Sequence, residues 1–282
     1  MTLHQVLTFI KEKLTTKYDN REISWMIRDI FDYLKGYSAV DLVMRRDDEL
    51  SDFIISKVEA IVQRLLNDEP LQYILGFAHF GGHKFIVTPA TLIPRPETQE
   101  LVDIIINENK QSDLTILDIG TGSGCIAISL ARALKFPIVN AVDISANALE
   151  VASKNAEILR VKIAFRQEDA LSMPQENARY NIIVSNPPYI IDDEKSQMER
   201  NVLDYEPAGA LFVPNNDPLR FYRAIAQFAQ TALTNDGRLY FEINPLFATE
   251  LRDMLKKSGF AEIEIIKDMQ GRNRFAKAKI IR

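Results

Sequence analysis

Ser185-Asn186-Pro187-Pro188-Tyr189 ends the apolar run Ile182-Ile183-Val184, and its residue types suit one chemical task. Two successive prolines fix φ and remove two backbone donors, so the carbonyl oxygens beside them need a donor from elsewhere. A planar NH₂ group can supply it. The Asn186 side-chain oxygen and the Pro187 carbonyl can each accept one hydrogen, while Tyr189 stacks on the conjugated plane. An amide nitrogen is a poor nucleophile because its lone pair is delocalised. Two acceptors on its hydrogens draw density back onto nitrogen and favour a pyramidal geometry, which aims the lone pair at an electrophilic carbon held in line. Asn186 and Tyr189 are therefore candidate catalytic residues, and Asn186, Pro187, Pro188 and Tyr189 the candidate acceptor-binding segment. No general base is obligatory, since the nitrogen can lose its proton after the transfer.

Upstream, Asp118-Ile119-Gly120-Thr121-Gly122-Ser123-Gly124 follows another apolar run and opens a helical pattern, so its glycines let backbone approach a ligand closely. Gly122, Gly124 and Ala127 also satisfy G-x-G-x-x-A, and the loop alone does not separate a nicotinamide dinucleotide from S-adenosyl-L-methionine. Asp118 favours the second: a carboxylate two residues before the first glycine is awkward beside a pyrophosphate and suits a zwitterion and a sulfonium. Asp143 lies about 20 residues beyond the glycines, where one carboxylate accepts from both hydroxyls of a ribose. As a helix cap it is less well placed than Ser145. Asp169 can accept from an adenine amine with Ala170 beside it, or can serve its own loop. The candidate cofactor set is thus Gly120, Thr121, Gly122, Ser123, Gly124, Asp143, Asp169, Ala170 and Asn186.

These residues need a scaffold that brings them together. From Leu114 onward short apolar runs alternate with amphipathic helices: strands Leu114–Ile119, Ile138–Val142, Ile163–Gln167, Asn181–Ser185, Arg238–Ile243, Ala261–Lys267 and Arg274–Ile281, and helices Gly124–Leu134, Asn147–Leu159, Pro218–Thr234 and Leu246–Lys257. Such alternation predicts right-handed crossovers and a parallel sheet, with ligands at the carboxyl ends of its strands. Residues 1–76 carry apolar side chains at helical spacing only, for example Val6, Phe9, Ile10 and Leu14, which predicts a helical bundle. Ser24, Ser38 and Ser51 lie near expected helix starts and Lys35-Gly36 at a stop. Residues 77–97 read as a hairpin about Gly81-Gly82 followed by a proline-rich linker, and residues 98–282 as the sheet domain, with a helix starting near Thr98.

Composition narrows the classes. At 282 residues with 46% apolar and 26% charged side chains the chain is globular and long enough for two domains. A net charge of −5 lacks the footprint of a duplex binder. The last 31 residues do hold nine basic groups (Arg252, Lys256, Lys257, Lys267, Arg272, Arg274, Lys277, Lys279, Arg282) against four acids (Asp253, Glu262, Glu264, Asp268), which reads as a solvated face. The single cysteine, Cys125, reads as a packing residue and fits a reducing cytoplasm. The N-terminus lacks the apolar core of a leader, no run approaches a membrane span, and His4, His79 and His83 suggest no metal site.

The chain resembles the HemK-type family, the N(5)-glutamine methyltransferases of peptide chain release factors. The resemblance rests on Pro70-Leu71-Gln72-Tyr73-Ile74-Leu75-Gly76, Leu92-Ile93-Pro94-Arg95-Pro96-Glu97-Thr98, the Asp118 to Gly124 loop, Asp143, Asn186 to Tyr189, Glu206-Pro207 and Ala210-Leu211. It implies a Rossmann-like methyltransferase sheet with a small N-terminal helical domain, S-adenosyl-L-methionine as donor, and the glutamine of a Gly-Gly-Gln motif as acceptor. It also implies that the helical domain holds the release factor. A cytoplasmic monomer without nucleic-acid specificity is expected. Gln99 departs from the glutamate usual in the family, and Asn244-Pro245 is also less typical. Two alternatives stand beside this reading: an adenine amino-group methyltransferase acting on DNA or RNA, since Asn-Pro-Pro-Tyr grips that amine equally well, and a non-catalytic release-factor-binding module.

Overall fold

The structure, a computed structural model, describes residues 1–280. Ile281, the expected end of the last strand, and Arg282 lie outside the described residues. The chain divides into two units, the first comprising Met1–Gly76 with Glu199–Tyr205 and the second Phe77–Met198 with the remainder from Glu206.

The first unit contains α1 (Leu3–Leu14), α2 (Asn20–Lys35), α3 (Ala39–Met44), α4 (Asp52–Leu66) and α5 (Leu71–Leu75). Its helix starts are chemical. Thr2, Asp19 and Ser38 each form a capping box, and Gly36 at φ 65° ends α2 in the left-handed conformation that glycine takes without strain. Ser24 does not start a helix. It lies inside α2 and its hydroxyl donates to the Asn20 carbonyl at 2.6 Å, because Asp19 caps two N–H groups with an anion at the positive helix end. Val6, Ile10 and Leu14 of α1, Ile23, Ile27 and Ile30 of α2, and Val58, Ile61 and Leu65 of α4 are buried. The segment Glu199–Tyr205 belongs here, and Tyr205 donates its hydroxyl to the Asn67 carbonyl at 2.9 Å.

The second unit runs β1 (Phe77–Phe80), β2 (His83–Ile86), α6 (Pro96–Glu108), β3 (Thr115–Ile119), α7 (Cys125–Ala133), β4 (Ile138–Asp143), α8 (Ala146–Ile158), β5 (Ile163–Gln167), β6 (Tyr180–Ser185) and β7 (Ile190–Ile191). After the excursion through α9 (Arg200–Tyr205) in the first unit come α10 (Ala208–Leu211), β8 (Phe212–Val213), α11 (Arg220–Ala232), β9 (Leu233–Glu242), α12 (Ala248–Lys257), β10 (Phe260–Lys267) and β11 (Asn273–Ile280). Seven strands form one sheet in the order β10-β11-β9-β6-β3-β4-β5. Strands β3, β4, β5, β6 and β9 pair in parallel, whereas β11 is antiparallel to both β9 and β10. The sheet is therefore mixed and not parallel throughout. Only residues 268–272 join β10 to β11, far short of the dozen or so that a parallel crossover requires.

Strand periodicity divides the core. Ile116, Ile182, Val184 and Tyr240 pack with α6 and α7 on one face, while Leu117, Ile183, Leu239 and Phe241 pack with α11 and α12 on the other. With both faces covered, the central strands read as continuous apolar runs. The winding runs from β3 through β4 to β5, then returns to place β6 on the other flank of β3, which makes the carboxyl ends of β3 and β6 the switch point.

The hairpin β1–β2 is antiparallel, as the Gly-Gly pair predicts, and belongs to the second unit. Asn155 of α8 holds it there: its Oδ1 accepts from Ile86 N at 2.7 Å and its Nδ2 donates to the carbonyls of Ile86 and Ser123, both at 2.9 Å. One buried side chain thus ties the hairpin to the glycine loop. Asn155→Ala leaves these backbone groups unsatisfied and is expected to lower unfolding stability by about 3 kcal/mol in urea titration; a loss under about 1 kcal/mol would show that the tie is dispensable.

Candidate active site

A cavity of about 480 Å³ opens at the carboxyl ends of β3, β4 and β6. Of the residues singled out in the sequence, Gly120, Thr121, Gly122, Ser123, Asp143, Asp169, Ala170, Asn186, Pro187 and Pro188 line it. Gly124 and Tyr189 do not. Gly124 sits at φ 81°, and a Cβ there would lie 3.0 Å from Ile128 Cδ1 and 3.2 Å from Ala152 Cβ. Its small size serves close packing of α7 on α8.

The glycine loop spends its donors internally. Gly120 N and Thr121 N donate to the Val142 carbonyl at 2.9 and 3.0 Å, Gly122 N to Asp143 Oδ2 at 2.9 Å, and Gly124 N to the Thr121 carbonyl at 2.8 Å. Asp118 takes two more, from Thr121 Oγ1 at 2.7 Å and Ala127 N at 3.2 Å. A pyrophosphate needs free N–H groups at this turn and no carboxylate at the helix start, so the loop is poorly suited to a dinucleotide. Asp118 is fully buried and absent from the cavity wall, so it acts on the site through the loop above it. It pins the loop from beneath, with Oδ1 lacking a protein partner, and burial pushes its carboxyl up to about 7.

Asp143 does reach the cavity. Its carboxylate accepts from Gly122 N and Ser145 N, burial raises its pKa, and the carboxylate forms part of the cavity wall. Ser145 caps α8 through Ala148 N, as the sequence suggests. Asp169 lines the cavity and also closes its own turn by accepting from Leu171 N at 2.9 Å. The walls near Leu92, Ile126 and Phe221 are apolar.

Asn186 stands on the wall at the end of β6, and its Nδ2 donates to Thr98 Oγ1 at 3.3 Å. Thr98 donates in turn to Glu242 Oε2 at 2.7 Å, and Tyr189 donates its hydroxyl to Glu242 Oε1 at 3.1 Å. Tyr189 thus turns its polar end toward the protein interior, where burial and Glu242 keep the phenol protonated, instead of lining the wall as a stacking face. Burial raises the Glu242 pKa, opposed by the bonds from Thr98 and Tyr189 and by the charge of Arg274. Asn244 donates to the Tyr189 carbonyl at 3.0 Å and to Glu194 Oε2 at 2.8 Å, so it braces the loop after β6. Arg95 pairs with the buried Glu206, which also accepts from Ile93 N at 3.1 Å and clasps the proline-rich segment to the cavity rim. Thr98, Glu242 and Glu206 were missed as site residues. Thr98 and Glu206 lay within resembling motifs, whereas Glu242 had no local signal beyond ending an apolar strand.

Residues 98–231 match the methyltransferase small domain family and residues 5–76 the PrmC N-terminal domain. A release factor glutamine methyltransferase of Bacteroides thetaiotaomicron is 44% identical over 277 residues, covering 98% of this chain and 99% of that one. Its counterpart from Flavobacterium psychrophilum is 42% identical over 281 residues, covering 98% and 99%. The chain belongs to the release factor glutamine methyltransferase family. A solved methyltransferase structure from Pyrococcus furiosus, 16% identical with a TM-score of 0.53, covers 78% of this chain and 98% of that one and shares the fold.

Other features of this methyltransferase follow from the same geometry. Gln99 points away from the cavity and donates to Asp103 Oδ1 at 2.7 Å one helical turn on, so a glutamate here would face a like charge. Within the basic C-terminal stretch four described side chains are ion-paired: Lys277 with Glu108 and Glu264, Lys279 with Asp236 and Glu262, Arg272 with Asp268 and Glu97, and Arg274 with Asp268. Among the described residues no helix is long and apolar enough to cross a membrane, and no group of three or more His, Cys, Asp or Glu is arranged to hold a metal.

The buried Asp118 has a pH signature. Its ordinary value is 3.8 and its folded value about 7, so between them the folded chain holds a proton that the unfolded chain has lost. Its contribution to stability therefore falls as pH rises through that window and levels off above it. For the ligand-free protein, Asp118→Asn should flatten the decline in unfolding midpoint from about pH 4 to about pH 7 relative to the parent; parallel profiles would remove the assignment.

Proposed function

We propose that this enzyme transfers one methyl group from S-adenosyl-L-methionine to the side-chain amide nitrogen of the glutamine in a Gly-Gly-Gln motif of peptide chain release factors. The observation that carries the proposal is the Asn186 amide on the wall of the cavity that Asp143 and the glycine loop also line. The residues present fit the donor. Asp143 would accept from the ribose hydroxyls, Asp169 and Ala170 would meet the adenine, and Gly120 to Ser123, which line the same cavity, would let backbone meet the amino-acid portion. When bound, S-adenosyl-L-methionine supplies an electrophilic methyl carbon on a sulfonium and leaves as a neutral thioether.

The chain supplies positioning. Asn186 Oδ1 and the Pro187 carbonyl accept the two amide hydrogens, and Pro188 stiffens the turn that carries them. These acceptors concentrate density on nitrogen as its bond to carbon forms, and the apolar walls exclude water while the sulfonium charge disappears. The extra proton leaves after transfer. Tyr189 supports this segment through Glu242. An adenine amine would meet the same oxygens, but the net charge of −5 and the full-length relatives named for release factors support a protein acceptor. The helical unit, with Trp25, Met44 and Phe53 exposed, supplies apolar area for a protein partner. Action in the cytoplasm, as a monomer, accords with an acceptor from the translation machinery.

Mass spectrometry of a release factor incubated with the enzyme and labelled donor should find one methyl group on that glutamine, and its absence there would overturn the acceptor. Asn186→Ala should lower single-turnover methylation about 10²-fold to 10³-fold with little change in donor affinity. Asp143→Ala should weaken donor binding about tenfold to a hundredfold by calorimetry. A variant at Asn186 transferring at the parent rate would remove the mechanism.

A further inference from the structure

An asparagine amide has two faces of nearly the same shape, and only one presents an oxygen to an incoming NH₂. What decides the orientation of Asn186 lies behind it. Its Nδ2 meets Thr98 Oγ1 at 3.3 Å, and a hydroxyl has a single proton to give. Thr98 gives that proton to Glu242 Oε2 at 2.7 Å and so can only accept from Asn186. The other Glu242 oxygen is occupied by the Tyr189 hydroxyl at 3.1 Å. Two hydroxyls donating one to each oxygen are the partners of an ionised carboxylate. Thr98 is 3% exposed and Glu242 2% exposed, so solvent does not compete for these bonds. The three residues come from the start of α6, the end of β9 and the end of β6.

We propose that Glu242, acting through Thr98, holds the Asn186 amide with its oxygen toward the cavity, and so makes the site select an acceptor bearing two N–H donors over a carboxylate of the same shape. Glu242 and Thr98 are positioning residues. If Asn186 turned over, its NH₂ would meet the acceptor NH₂ donor to donor, and a glutamate side chain would gain a partner that the native orientation denies it. Discrimination of this kind comes from a mismatch built against the wrong group as much as from bonds to the right one. The inference rests on methyl transfer to glutamine as proposed above.

Thr98→Val keeps the shape and removes the hydroxyl, and Thr98→Ser restores it. In the full chain, Thr98→Val should lower kcat on an intact release factor about 10²-fold with an unchanged Kd for S-adenosyl-L-methionine. It should also narrow the preference for that factor over one carrying glutamate in place of the target glutamine, read as KM for the first against Ki for the second. Thr98→Ser should recover most of both. Orientation is read separately by hydrogen exchange of the Asn186 side-chain amide in isotope-labelled protein, assigned by its loss in Asn186→Ala: slow in the parent and Thr98→Ser, fast in Thr98→Val. Parent-like kcat, an unchanged preference or unchanged exchange in Thr98→Val would each overturn the proposal. If the parent methylates no release factor, only the acceptor assignment fails, and the exchange measurement still decides the orientation.

Discussion

A carboxylate drawn out of water near the end of a strand must collect donors or lose its charge, and three such carboxylates, Asp118 and Glu242 buried and Asp143 half-buried, surround one end of this sheet. Asp118 on β3 gathers Thr121 and Ala127, Asp143 on β4 gathers Gly122 and Ser145, and Glu242 on β9 gathers Thr98 and Tyr189. Asp118 and Asp143 together hold the glycine loop and the start of α7 and α8, and Glu242 holds the start of α6 and the loop after β6. The cavity is the space these loops enclose, so its shape depends on the carboxylates being satisfied. The resulting site is held by the rigid sheet and not by loop contacts alone, which is what a reaction relying on positioning requires.

The same accounting explains the choice of cofactor. A glycine-rich turn after a first strand can serve phosphate or adenosine chemistry, and the difference lies in what its N–H groups already bond. Here Val142, Asp143 and Asp118 consume donors that a pyrophosphate would need. A ligand with hydroxyls and a cationic centre meets no such conflict.

The long passage from Asn186 to Phe221 carries the acceptor segment away from the sheet and back. It is braced at several points: Asn244 holds Tyr189 and Glu194, Asn215 bonds Asp193, and Glu206 clasps Arg95 and Ile93. These polar ties replace the ladder bonds that a regular strand would supply. They also explain why Leu-Ile-Pro-Arg-Pro-Glu-Thr and Glu206-Pro207, far apart in sequence, both bear on the site: the first delivers Arg95 and Thr98 to the cavity, and Glu206 anchors Ile93 and Arg95.

Local sequence determined the elements and the motifs. Strand and helix identity followed from apolar periodicity in β3, α7, β4, α8 and β6, because both faces of the sheet are buried and each helix has one apolar stripe. Asn-Pro-Pro-Tyr and the glycine loop announced their chemistry because proline and glycine constrain the backbone wherever they stand. What each polar side chain faces was decided only by tertiary structure. Asp118 lies beneath the glycine loop, the Tyr189 hydroxyl turns inward to Glu242, Gly124 packs closely against Ile128 and Ala152, and the last strands pair antiparallel because their connection is short. Glu242 gave no sign at all, since its partners lie 144 and 53 residues away along the chain. A hydrogen bond between such distant residues is a property of strand order and register, and neither is encoded in any local window.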